Sequence, residues 1–523
     1  MGAENPLPPL ISALLQPQRY PHPVSRCELI ETHISWVILA GEFAYKIKKP
    51  LDLGFLDFST LEKRRFCCEE EVRLNRRTAS GIYLTCVAIG GSAQAPQLEG
   101  GAAPIEYAVK MRRFPQQGQL DQMLAQGELA GSHIDAFARM AAGFHRRIAV
   151  AGAQSPYGEP AQVWQPMAEN FTQIRAQAVA AGEAARLARL EAWSREQYAR
   201  LEGRLRARKR QGFVRECHGD MHLRNLAWVD GEALAFDGIE FNPALRWIDV
   251  MSEVAFMVMD LQARDEPRLA QRFLNHYLEL SGDYAGLALL PFYLVYRALV
   301  RAKVAAIRSA QAGPDGPERQ EFERYLALAE GYTSRGKPAL LLARGMSASG
   351  KSSCTAPLLE RLGAIRLRSD VERKRLHGMG AEEDGRAAPG EGIYSAAASE
   401  RTYARLAELA QLVIDAGYTV IIDAVCQRAA QRQPFIRLAR EHGVPCLILA
   451  FTAPAAELRR RIVSREKGAS DADLAVLEQQ LRSWEPLTTE EKALALTVDT
   501  SEAISEEQLY RQVRARLGET PSR

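Results

Sequence analysis

The absences in this chain narrow its function before any motif does. Eight cysteines in 523 residues form no Cys-x-x-Cys pair, which argues against both a disulfide scaffold and a cysteine zinc site. They read as reduced thiols, mostly buried as packing residues. Long apolar runs are also missing: the best, Leu289 to Tyr296, is short, flanked by charge and far below the roughly 18 residues that cross a bilayer. A soluble chain with no membrane partner is expected. The opening MGAENPLPPL has no basic stretch ahead of an apolar one, and Pro6 spoils the myristoylation pattern, so the cytoplasm is the expected address. An excess of one charge is lacking too. Lys plus Arg number 67 against 64 Asp plus Glu, a net +3, far from the footprint of a protein that tracks a nucleic-acid backbone. No internal repeat or low-complexity tract appears.

What is present suits large packed cores. Apolar residues make up 47% and charged residues 25%, as in soluble globular chains, and the length suggests three or four lobes. A Pro-rich arm, residues 1–26 with a short helix over Pro9–Leu15, leads into β-rich runs at Ile34–Ala40 and Phe43–Lys48. These are joined by the hairpin turn Ala40-Gly41-Glu42. A charged amphipathic helix follows over Ser59–Arg76, then strands at Tyr83–Ile89 and Ile105–Phe114. From Ser132 to Arg210 the pattern is helical. It is interrupted by a β-rich stretch, Val214–Asp237, and resumes to about Gly331. Ser334–Pro338 is the expected linker. Beyond it, strand runs at Ala339–Ala343, Ile365–Leu367, Thr419–Ile422, Leu447–Phe451 and Leu494–Val498 alternate with helices, which implies a parallel sheet.

The most specific motif is Gly345-Met346-Ser347-Ala348-Ser349-Gly350-Lys351-Ser352, a full GxxxxGK[ST] between an apolar strand and a helix-compatible stretch. Its backbone N–H groups and helix N-terminus suit a β-phosphate. The nucleotide set is therefore Gly345, Ser347, Ala348, Ser349, Gly350, Lys351, Ser352 and Ser353, with Lys351 on the β- and γ-phosphates and Ser352 on Mg²⁺. Asp370 follows the second strand, where strand ends line the ligand crevice, and can accept a proton from an acceptor hydroxyl. Arg373, three residues on, can hold the acceptor; capping of the next helix is the competing role for Asp370. Asp423, which ends its strand, is a candidate for holding Mg²⁺ or the acceptor, with capping of the following helix as its competing role. Arg461 and Arg465 lie four apart in a run with Arg459 and Arg460, which suits a lid over phosphates.

GMSASGKS, SDVER, IIDA and LRRRIVSRE together resemble the small P-loop kinases of the polynucleotide kinase, zeta toxin and chloramphenicol phosphotransferase group. The resemblance implies Asp370 as general base, Arg373 as its support, and Arg461 with Arg465 as lid residues touching ATP.

A second signature is His218-Gly219-Asp220-Met221-His222-Leu223-Arg224-Asn225, with Asp237 after the next strand. Asp220 and Asn225 keep the five-residue spacing of a kinase catalytic loop, which supplies a base, a neutral Mg²⁺ ligand and a second carboxylate for the metal. It resembles the aminoglycoside phosphotransferase and choline kinase superfamily. That implies Asp220 as base, Asn225 and Asp237 as metal ligands, and His218 and His222 as loop organisers. Gly219 and the β-rich surroundings argue against zinc on the two histidines. Such a site needs a sheet lysine paired with a helix glutamate. Lys46 and Lys48 share a strand face, and Glu69, Glu70 and Glu71 lie on the following helix; the sequence does not choose among them. No GxGxxG precedes the lysines.

The expected fold class is α/β multidomain. A two-lobed protein-kinase-like α+β domain (27–334; small lobe about 27–115, helical lobe about 116–334) precedes a P-loop α/β domain with a parallel sheet (338–523). The whole resembles bacterial proteins that join an aminoglycoside phosphotransferase-like half to a P-loop kinase half. The expected ligands are ATP or GTP, Mg²⁺ and a hydroxyl-bearing small molecule.

Overall fold

The computed structural model describes residues 7–54, 56–100, 103–177, 181–312, 316–334, 336–383, 392–464, 474–502 and 504–518. The chain gathers into two compact units, Met1–Gln173 with Arg195–Asp260, and Ile174–Ser194 with Leu261–Arg523.

The first unit is built on a six-stranded antiparallel sheet of β1 (Cys27–Glu31), β2 (Ser35–Ala40), β3 (Phe43–Lys48), β4 (Tyr83–Ser92), β5 (Ala95–Leu98) and β6 (Glu106–Arg112). Its order is β1-β2-β3-β6-β4-β5. The Gly41 turn between β2 and β3 has φ +60°, and a Cβ there would come within 2.7 Å of Pro23 O, so glycine is required. β1 and β5 go beyond the sequence expectation. Both are edge strands: β1 buries none of its residues fully, and β5 turns Pro96 and Leu98 inward but is only four residues long, with a proline in it, too short a run to read.

Helix α1 (Leu61–Asn75) starts where the Thr60 side chain accepts from Lys63 N, and it turns Cys68, Glu71 and Val72 inward. Cys68 and Val72 join Tyr83 and Val109 in one apolar cluster. Helix α2 (Gly131–Arg147) follows. Two-stranded sheets then pair β7 (Val214–Glu216) with β10 (Trp247–Asp249), and β8 (Leu226–Val229) with β9 (Glu232–Ala235). Helix α3 (Val250–Ala263) follows β10.

The second unit contains helix α4 (Pro267–Ser281), further helices to Gly331, and a five-stranded parallel sheet. Its strands are β11 (Leu340–Arg344), β12 (Ile365–Arg368), β13 (Val420–Asp423), β14 (Cys446–Thr452) and β15 (Ala495–Asp499), in the order β12-β13-β11-β14-β15. β11 is buried along its whole length, as an unbroken Leu run between two covered faces requires. Leu341 and Ala343 meet Leu358, Ile421, Leu449 and Val513 in the core. The helices that carry the chemistry are α5 (Lys351–Leu362), α6 (Ser369–Leu376), α7 (Ala396–Asp415), α8 (Ala455–Ser464) and α9 (Leu474–Arg482).

The antiparallel and parallel sheets, each with its helices, make the expected α/β multidomain class. All eight cysteines are free thiols, and four of them, Cys67, Cys68, Cys217 and Cys426, are buried. No described helix is long and apolar enough to cross a membrane.

Candidate functional site

The phosphate loop runs from the end of β11 into α5. Its path needs left-handed backbone at Ala348 (φ 63°) and Gly350 (φ 78°). A Cβ on Gly345 would lie 2.4 Å from Ser349 Oγ and 2.8 Å from Phe451 O, so only glycine fits that position. Lys351 Nζ donates to the carbonyls of Gly345 (2.7 Å) and Met346 (2.9 Å), which draws the ammonium back over its own loop. Ser352 Oγ donates to Asp423 Oδ2 at 2.8 Å. A hydroxyl and a carboxylate therefore converge, a hard-oxygen pair that suits Mg²⁺. Ser349 Oγ is buried and has no hydrogen-bond partner among the described residues.

A cleft of about 1170 Å³ is lined by the loop from Ser347 to Ser353 together with Asp370, Arg373, Asp423 and Arg461. Asp370 and Arg373 share one face of α6, in keeping with their spacing. Arg373 donates through Nη1 to Ile393 O (3.1 Å) and Ser399 Oγ (3.2 Å), and its guanidinium lies 5.2 Å from the Tyr394 ring centre. Arg461 is held by Glu457 (2.6 Å) and by the Thr500 hydroxyl (3.0 Å), while Thr500 Oγ1 also donates to Ser349 O at 3.1 Å. Arg465 lies outside the described residues.

Sequence reasoning missed three neighbours of this cleft. Gln480 on α9 accepts from Ser347 N (2.8 Å) and donates to Ser347 Oγ (3.0 Å). Arg368 faces Asp423 at 4.0 Å. Thr500 follows β15, and its place just past a strand's C-terminal end was the only available signal. A lone glutamine or strand arginine carries none.

In the first unit the five-residue catalytic spacing becomes a contact: Asn225 Nδ2 donates to Asp220 Oδ2 at 2.8 Å. Phe236 N donates to Asn225 O (3.0 Å), which brings the residue before Asp237 beside the loop. Asp237 itself has φ 61°, left-handed backbone that few non-glycine residues adopt, and its N–H donates to Tyr83 OH at 3.0 Å. The open choice among glutamates falls on Glu71. Lys46 Nζ donates to Glu71 Oε1 (2.8 Å) and also to Asp237, while Lys48 Nζ donates to Glu71 Oε2 (2.6 Å) and to Glu240. Lys46 thus bridges the helix glutamate and Asp237. Lys48 is wholly buried behind it, with Phe58 beneath its ammonium. Glu69 pairs with Arg65, and Glu70 with Arg73.

Burial opposes the Glu71 charge, yet the two lysines hold its carboxyl at about 2; burial pushes the Glu240 carboxyl up. Burial likewise opposes the Lys46 charge, and Asp237 and Glu71 outweigh it to raise its pKa. His218 Nε2 faces Phe236 O (3.0 Å) and His222 Nε2 faces Asp220 (3.4 Å), so the rings turn to separate partners.

Two carboxylates on α3 organise the loop from behind. Glu253 accepts from Gly219 N (2.5 Å) and His218 N (3.3 Å), with His145 Nε2 at 2.8 Å, and Asp260 accepts from Leu223 N (2.9 Å). Both side chains belong to this one helix. The structure makes it the loop's anchor.

These features define a two-part protein in which an AAA-type P-loop half follows a half that carries a kinase-like catalytic loop. A family model described as AAA domain matches residues 340–487. The chain belongs to the family of the uncharacterized protein Rv2004c of Mycobacterium tuberculosis (strain ATCC 25618 / H37Rv), with 32% identity over 472 residues, 89% of this chain and 92% of that protein. Among solved structures, it is similar to a choline/ethanolamine kinase family protein from Mesorhizobium loti (12% identity, 62% of this chain and 93% of that one, TM-score 0.38). It is also similar to a sugar kinase from Janibacter sp. HTCC2649 (19% identity, 35% and 95%, TM-score 0.28).

Proposed function

We propose that the protein is an ATP- and Mg²⁺-dependent phosphotransferase with two kinase-like sites, and that its P-loop site transfers the γ-phosphate to a hydroxyl of a small molecule. The carrying observation is that one cleft is lined by the phosphate loop, Asp370, Arg373, Asp423 and Arg461. Gly345 and Ser347 to Ser353 hold the nucleotide, or GTP in its place. Ser352 and Asp423 would hold Mg²⁺, which supplies charge neutralisation at the phosphates when bound. Asp370 takes the acceptor's proton as its oxygen forms the new bond to the γ-phosphorus and the bond to the leaving ADP breaks. Arg373 holds the acceptor beside Asp370, while Lys351 and Arg461, with Arg465, offset the charge that develops. In the first half Asp220 has the base role, and Asn225 and Asp237 are the metal ligands, with Lys46 at the phosphates.

A second reading makes the first half a regulatory or acceptor-binding module, or a target of autophosphorylation. It is favoured by Lys46, which bridges Glu71 and Asp237 and so occupies the side on which metal and phosphates would enter. The near-neutral charge weighs against a nucleic-acid 5′-hydroxyl kinase.

The test is transfer of labelled γ-phosphate from ATP in a metabolite extract, comparing the protein with Lys351→Ala and Asp220→Ala. Each substitution is expected to remove a distinct labelled product. Full labelling by Lys351→Ala refutes the P-loop assignment. Turnover unchanged by Asp220→Ala supports the module reading, and label on the chain itself supports autophosphorylation. Label on a 5′-hydroxyl oligonucleotide would replace the small-molecule acceptor.

A further inference from the structure

Strand β12 stands at an edge of the parallel sheet, and its backbone is completed by α4, a helix outside the matched segment 340–487. Asn275 Oδ1 accepts from Arg366 N at 2.8 Å, and its Nδ2 donates to Ala364 O at 2.9 Å. One turn further along α4, Glu279 is 4% exposed. Its Oε1 accepts from Arg366 Nε at 2.9 Å, and its Oε2 faces Arg368 at 3.5 Å. Arg368 lies 4.0 Å from Asp423 Oδ2, the oxygen that accepts from Ser352 Oγ. Carboxylate, guanidinium, carboxylate and hydroxyl therefore follow one another from α4 to the phosphate-loop serine.

A guanidinium set between two carboxylates is divided between them, and the shorter approach here is to Glu279. We propose that Glu279 is a positioning residue of the P-loop site: it holds Arg368 back, so that Asp423 stays turned to Ser352 as a Mg²⁺ ligand. The proposal rests on the phosphotransferase reading of this cleft. With the Glu279 charge removed, Asp423 becomes the better partner for Arg368, and a charge-assisted pair then competes with the cation for that carboxylate. Outer partners of metal ligands typically matter by ~10- to 100-fold in metal affinity, which sets the expected scale.

The readout is binding of a fluorescent ADP analogue to the full chain with and without Mg²⁺, taking the part of the signal that Lys351→Ala removes. Glu279→Gln is expected to cut the Mg²⁺-dependent gain in affinity about tenfold, with Mg²⁺-free affinity within about twofold. In an Arg368→Met background the same substitution is expected to change nothing further. Arg368→Met alone, which leaves Glu279 in place, is expected to keep the gain. Asn275→Ala loosens α4 without touching Arg368 and is expected to lower Tm while leaving the gain intact.

A gain within twofold of wild type in Glu279→Gln overturns the proposal. So does an undiminished effect of that substitution beside Arg368→Met, or a tenfold fall in Arg368→Met alone. Nucleotide binding indifferent to Lys351→Ala overturns the P-loop reading and this proposal together, whereas binding that needs Lys351 and ignores Glu279 overturns the proposal alone.

Discussion

Replacing Glu253 by glutamine tests how the first catalytic loop is held. This carboxylate is fully buried and accepts from two successive backbone N–H groups, Gly219 N on Oε1 and His218 N on Oε2, with His145 Nε2 also on Oε2. Burial opposes its charge, yet His145, His218 and the Gly219 N–H bring the carboxyl from the usual 4.5 down to about 2. At 1.36 kcal/mol per pH unit, about 3 kcal/mol of folded-state stability depends on the ionised form. Glu253→Gln keeps one acceptor but puts an amide donor where a second acceptor is needed. The expected loss at pH 7 is about 3 kcal/mol, or roughly 6–12 °C in the transition of a unit this size. Because the folded-state pKa is depressed, the wild-type advantage is complete above about 4.5, falls to about half near pH 3, and is lost as the pH drops through 2. Urea unfolding of both proteins at pH 7 and pH 3, followed by tryptophan fluorescence, reads the gap. A gap below about 1 kcal/mol at pH 7, or one of the same size at pH 3, refutes the reasoning.

Two further outcomes follow from close contacts. Gly345→Ala places a methyl 2.8 Å from the Phe451 carbonyl, a strand backbone atom that cannot yield, so nucleotide affinity at the P-loop is expected to fall at least about tenfold in a calorimetric titration. Glu71→Ala removes the carboxylate shared by Lys46 and Lys48 and is expected to lower stability by about 3–5 kcal/mol in urea melts, while P-loop nucleotide affinity stays unchanged.

Much of the fold was legible because its signals are local. The strand LLLAR, the phosphate loop and the helix that follows it each read from periodicity or from a motif whose spacing is fixed by the ligand. β1 escaped because it buries none of its residues fully, and β5 because its alternation spans only four residues and includes a proline. The P-loop cleft was legible wherever chemistry sits at strand ends, as at Asp370 and Asp423. Gln480, Arg368 and Glu279 were not, since their contacts join segments far apart in the chain through ordinary residue types. Glu71 could be placed among three glutamates only from helix rotation, and one step of 100° separates it from Glu70, which turns to Arg73.

The way α4 completes the outermost strand sets where the polypeptide can be divided. Asn275 bonds to a strand residue 91 positions later, so the apparent joint at Ser334–Pro338 is not a seam. A fragment beginning at Pro338 would carry a bare sheet margin and two arginines stripped of their anion, and it would self-associate. A fragment that begins ahead of Pro267 keeps the bracket. The phosphate-loop unit does not begin at Pro338, because part of its frame is α4, which lies ahead of that point in the chain.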